Sequence, residues 1–114
     1  MNSLQNTVNL IGRIGITPTI RIFTNGVKLA KFSLATNETI YNPNGKSIKT
    51  QWHNIIAWGK KAELIEKYVK KGQMIAVEGK LINKVLTDLN GKKSKLTQIQ
   101  VEEVLLINQQ RQGA

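Results

Sequence analysis

The residues best placed to do chemistry lie in one short stretch, TQWHNIIAWG (50–59), which holds both tryptophans and the only histidine of the chain. Side chains alternate across a strand, so Trp52, Asn54, Ile56 and Trp58 share one face, and His53, Ile55 and Ala57 share the other. Tryptophan carries a large apolar area that favours burial. The Ile55–Ala57 face, however, already suits a tight interior, which leaves the tryptophan face to the outside. At ~3.3 Å per residue the two indoles sit about 20 Å apart. That is too far for ring contact. It suits two separate platforms along an extended strand of bases, each stacked base contributing ~1–3 kcal/mol with little regard to sequence.

Catalytic chemistry is poorly supplied. There is one histidine, one aspartate (Asp88) and no cysteine. Disulfides and thiolate metal sites are excluded, and no His/carboxylate set stands at ligand spacing. A Ser-His-Asp arrangement has no supporting motif. NGKS (44–47) ends like a P-loop, but the required upstream glycine falls on Ile40. His53 is expected to be packed or hydrogen-bonded rather than catalytic. The chain therefore reads as a non-enzyme with no cofactor and no metal.

Charge points to a polyanionic partner. Seventeen Lys+Arg against seven Asp+Glu give a net charge of +10, beyond the magnitude of ~2–8 that keeps a small domain soluble. Residues 59–95 alone hold ten lysines and four acids. Lys60 and Lys61 follow Trp58, Lys70 and Lys71 come next, then Lys80 and Lys84, and Lys92, Lys93 and Lys95. A basic channel with aromatic faces is the electrostatic funnel expected for single-stranded nucleic acid. Some of these lysines merely solvate strands or complement a helix dipole. No apolar run approaches the ~20 residues that span a bilayer, and MNSLQNTVNL lacks the marks of a secretory signal. These features favour a cytoplasmic protein without membrane partners.

At 114 residues one domain is expected, covering 1–107, with a polar and frayed tail over 108–114. Apolar, β-branched runs predict strands at 7–14, with a continuation at 19–23 after a break at Gly15 and Pro18, and at 27–39, 48–59, 73–89 and 93–107. Three Asn-Gly pairs (Asn25-Gly26, Asn44-Gly45, Asn90-Gly91) punctuate them. The first and third fit type I′ hairpin turns, and the second sits in NPNGKS, which reads as a longer mobile loop. Leu64, Ile65, Tyr68 and Val69 form a helical stripe over 60–72, with Lys67, Lys70 and Lys71 in the last turn and Gly72 beyond it. Five strands with one helix between the third and fourth is the layout of a mostly-β Greek-key OB-fold barrel. Another small α+β sheet also satisfies the periodicity.

Five segments, in order, carry a resemblance: NLIGRIGITPTIR (9–21), NGVKLAKFSLATNE (25–38), QWHNIIAWGKKAELIEKYVKKG (51–72), VEGKL (77–81) and TDLNGKK (87–93). Together they resemble bacterial single-stranded DNA-binding proteins over almost the whole chain to about residue 107. The resemblance implies an OB-fold homotetramer that wraps single-stranded DNA in replication, recombination and repair. It implies base stacking on Trp52 and Trp58, phosphate contacts at Arg21, Lys60 and Lys71, and a subunit contact at His53. Lys70 and Lys84 join the phosphate candidates. Two further tryptophan positions of the family are occupied here by Ile40 and Leu86; Tyr41, beside the first, is a substitute platform of unknown direction. The acidic tip by which family members recruit other enzymes has no counterpart in NQQRQGA (108–114), so partners of that kind are not expected. The competing readings are a dimeric interaction module that binds DNA weakly and an RNA-binding OB domain.

Overall fold

A computed structural model describes residues 5–107; the expected tail over 108–114 lies outside the described residues. The elements run β1 (Val8–Ile14), β2 (Thr19–Ile22), β3 (Lys28–Asn42), β4 (Gly45–Trp58), α1 (Lys60–Tyr68), β5 (Met74–Thr87) and β6 (Lys93–Leu106). β1 and β2 are two halves of one bent strand. Arg13 and Ile14 pair with Ala35 and Leu34, and Thr19–Ile22 then continue down the same partner from Lys31 to Lys28. Counted so, the fold has five strands with its helix after the third, as the sequence predicts.

The sheet order is β1-β5-β6-β4-β3-β2, and the β1–β3 pairing closes it into a barrel. All strand pairs are antiparallel except β4–β6, which is parallel. Inward parity fills the interior with Ala30, Phe32 and Leu34 from β3, Ile55 and Ala57 from β4, Ile75 and Val77 from β5, and Ile99 and Val101 from β6. α1 closes one end of the barrel with Ala62, Ile65 and the following Val69. Lys28 Nζ ties β3 to the helix through Glu66 Oε1 at 2.7 Å. This hydrogen bond raises the Lys28 pKa. The pair's small contribution to stability is thus present at neutral pH and is lost as pH rises through that raised value.

Three local expectations need correction. First, among the described residues only glycines adopt positive φ, so a type I′ turn, which needs two such residues, is excluded at the Asn-Gly pairs. Phe23 N bonds Val27 O and Gly26 N bonds Phe23 O, and Asp88, Gly91 and Lys92 repeat the pattern. Both hairpins are therefore three-residue loops whose third residue, Gly26 or Gly91, takes the left-handed conformation (φ 85 and 81). Asp88 Oδ1 reinforces the second by accepting from Asn90 N and Lys92 N. Second, NPNGKS is not a long mobile loop. β3 and β4 pair without a break to Asn42↔Gly45, so the connection is Pro43-Asn44 alone. The polar composition belongs to a two-stranded arm that leaves the barrel. Third, α1 ends at Tyr68, and Val69 at its C-cap is extended (ψ 128). Burial of Val69 takes precedence over helix continuation. Lys70 and Lys71 then lie in the turn closed by Gln73 N to Lys70 O, not in the helix, and Tyr68 is exposed rather than part of the buried stripe.

Candidate nucleic-acid interface

β4 positions the site. Ile55 and Ala57 are buried, whereas Trp52 and Trp58 are 62% and 41% exposed, so strand parity places both indoles outside. Ile56, between them, is buried because β6 crosses there. β4 and β6 pair only at Ile55↔Ile99 and Ile56↔Gln100. Below that crossing Asn54 Nδ2 reaches Thr97 O at 3.4 Å. The crossing turns the outer face of β4 into a groove.

The groove consists of three joined hollows that follow β4. The first, beside Trp52 and Asn54, is lined also by His53, Leu81, Lys95, Thr97 and Ile99, so it reaches round to the His53 face of β4. The second holds Lys31, Ser33, Asn54, Ile56 and Gln98. The third holds Arg21, Phe23, Lys31, Trp58, Lys84 and Gln98. Asn54 borders the first two, and Lys31, Ile56 and Gln98 the last two, so the three hollows adjoin one another between Trp52 and Trp58. Four cations line them and no carboxylate does. The acids are elsewhere: Glu63 and Glu66 border a hollow on α1, and Glu78 and Glu103 one on the β1–β5–β6 sheet.

Each indole is braced. Trp52 lies on Gly15, where a Cβ would run into the indole Cζ3 and come within 2.8 Å of Ser33 Oγ. Any larger residue there must displace the indole edge or the Ser33 hydroxyl at the β1–β2 bend. Gly15→Ala is expected to cost ~1–3 kcal/mol by overpacking, unless the indole swings away. Thermal melting and the wavelength of Trp52 emission, read in a Trp58→Phe background, together register either response. Trp58 is braced by Phe23 (centroids 5.6 Å apart, tilted 37°), and the Arg21 guanidinium caps Phe23 at 4.7 Å. Arg21, Phe23 and Trp58 thus form a layered block at one end of the groove.

The other residues singled out from sequence are distributed as follows. Arg21 and Lys84 lie in the Trp58 hollow. Lys60 opens α1 two residues after Trp58. Lys60, Lys70 and Lys71 are exposed but line none of the three hollows. His53 is half-buried, and its Nε2 shares a 2.9 Å hydrogen bond with Thr36 Oγ1. The register gives Tyr41 its direction. It pairs with Lys46, and Ala35 with Trp52, so Tyr41 shares the ribbon face of Trp52 while Ile40 takes the opposite face. Phe23, Lys31 and Gln98 are not apparent as site residues from the sequence. The alternation of Arg21 with Phe23 was the available signal for one of them, and only the tertiary crossing reveals the other two.

Comparison with known proteins agrees with this geometry. Residues 5–107 match the single-strand binding protein family. A single-stranded DNA-binding protein of Bacteroides thetaiotaomicron is 37% identical over 106 residues, covering 90% of this chain and 66% of the relative. One of Xylella fastidiosa is 33% identical over 108 residues, covering 93% of this chain and 79% of the relative. For a Neisseria meningitidis relative, 43% identical over 77 residues, the match spans only 44% of its length. The chain thus spans under two thirds of some of these relatives. Among solved structures, a Plasmodium falciparum SSB complex with ssDNA superposes with a TM-score of 0.84 at 34% identity, covering 95% of this chain and 98% of that one. By its sequence and its closed barrel alike, the chain belongs to the single-strand binding protein family.

Proposed function

We propose that this chain binds single-stranded DNA, without catalysis and largely without sequence preference, by laying the strand along the β4 groove. The observation that carries this reading is a row of adjoining hollows between two exposed tryptophans, lined by Arg21, Lys31, Lys84 and Lys95 and by no acid. Bases stack on Trp52 and Trp58, and Tyr41 extends the same face along the β3–β4 arm. Arg21 and Lys84 hold phosphates within the groove; Lys60, Lys70 and Lys71 hold them where the strand leaves it. The named activities of the relatives and of the solved complex support the same ligand. Protection of single strands in replication, recombination and repair, in the cytoplasm, is the role that follows.

The same reading assigns a homotetramer. Val8–Gly12 of β1 pair only with β5, which leaves a strand edge open to another copy, and Ile11 and Leu105 are exposed on that sheet. His53 is assigned to a subunit contact. Mass determination in solution is expected to give four copies, with and without oligo-dT; a monomer would remove this part.

The ligand assignment is tested by anisotropy of labelled oligo-dT and of a duplex of equal length across a salt series. Tighter binding of the single strand is expected, with log K falling linearly in log salt. Lys84→Ala is expected to lower the magnitude of that slope by about 0.7, the value for one phosphate on a single strand. Equal affinity for duplex and single strand would overturn the reading.

A further inference from the structure

Gln98 stands apart from the rest of the groove. It is the one buried polar side chain among the described residues, at 6% exposed, in a class otherwise filled by Ile, Leu, Val, Ala and Phe. Its amide makes no hydrogen bond to another described residue, yet no fully enclosed side-chain nitrogen or oxygen lacks a partner. Its polar atoms are therefore not fully enclosed, and Gln98 lines both the middle hollow and the Trp58 hollow. A mostly covered amide with no protein partner is a cost that an aliphatic side chain would avoid. It becomes useful when a ligand supplies both a donor and an acceptor.

From this geometry, and resting on the DNA-binding reading above, we infer that Gln98 hydrogen-bonds the edge of the base held in the Trp58 hollow and favours a keto base, thymine or guanine. Such a base presents a carbonyl oxygen beside a ring N–H. The Gln98 Nε2 donates to the carbonyl, and Oε1 accepts the ring N–H. Adenine and cytosine present the reverse order, which a flipped amide would also match, so the amide alone does not choose. The choice is made by Lys31, which lines the same hollow and is not assigned to a phosphate. It is a donor only, and it favours carbonyl oxygens over exocyclic amino groups. Stacking supplies affinity for any base; Gln98 and Lys31 add a modest preference.

The test compares oligo-dT, oligo-dC and an oligomer of N3-methylthymidine by anisotropy. N3-methylation keeps the ring face and both carbonyls and removes the ring N–H. The unaltered protein is expected to bind oligo-dT roughly fivefold more tightly than either of the others, the scale of one net hydrogen bond. Gln98→Met is expected to erase the difference between plain and methylated thymidine. Gln98→Glu, which keeps the shape and loses the donor, is expected to shift preference towards oligo-dC. Equal binding of all three oligomers by the unaltered protein overturns the inference, as does a methylation penalty that persists in a folded Gln98→Met. Either result leaves single-strand binding intact, whereas failure of oligo-dT to bind at all would overturn the function itself.

Discussion

A Trp52→Ala/Trp58→Ala double variant is expected to bind oligo-dT about 2–6 kcal/mol more weakly than the unaltered protein, from two platforms at ~1–3 kcal/mol each. The losses should add, because at about 20 Å along the strand the rings share no contact and sites so far apart are independent. The slope of log affinity against log salt should stay nearly constant, since no phosphate contact is removed. Trp58→Ala is expected to be the more damaging single change. It removes a platform and also the ring against which Phe23 packs. Anisotropy of labelled oligo-dT measures all three variants without relying on tryptophan emission. Phenylalanine at either position should restore most of the lost affinity, because the flat ring is what matters.

The second large effect is on stability. Ile55→Ala should cost ~2–5 kcal/mol, the range for deleting a large aliphatic side chain from a packed interior. Ile55 is 1% exposed and pairs with Phe32 on one side and Ile99 on the other. It sits where β4 and β6 cross, so the cavity opens directly beneath the groove. Urea denaturation should show a lower midpoint with an unchanged m-value. Ile55→Val, which removes one methylene, should cost only ~0.5–1.5 kcal/mol. A loss near zero for Ile55→Ala would mean that the barrel is not packed around this strand.

Much of this was legible in the sequence because it depends on period. Alternation along 50–59 separates Trp52 and Trp58 from Ile55 and Ala57 whatever the partners are. The apolar runs and the break at Gly15 and Pro18 give the strand order. Features that depend on distant contacts were not legible. Asn-Gly is compatible with several loops, and the three-residue form is selected by the Phe23–Val27 and Asp88–Lys92 bonds. The polar sequence around Pro43 resembles a loop because both faces of the β3–β4 arm meet solvent there. Val69 ends the helix because its side chain enters the core. Gln98 belongs to the groove only because β6 crosses β4. Tyr41 acquired a direction only when the register with Lys46 was fixed.

The central claim is that bases stack on the β4 tryptophans, and titration of intrinsic tryptophan emission with oligo-dT tests it most directly. Deep quenching that saturates with the anisotropy signal is predicted, reduced in part by Trp52→Phe and in part by Trp58→Phe. Saturated binding by anisotropy with tryptophan emission unchanged would contradict it.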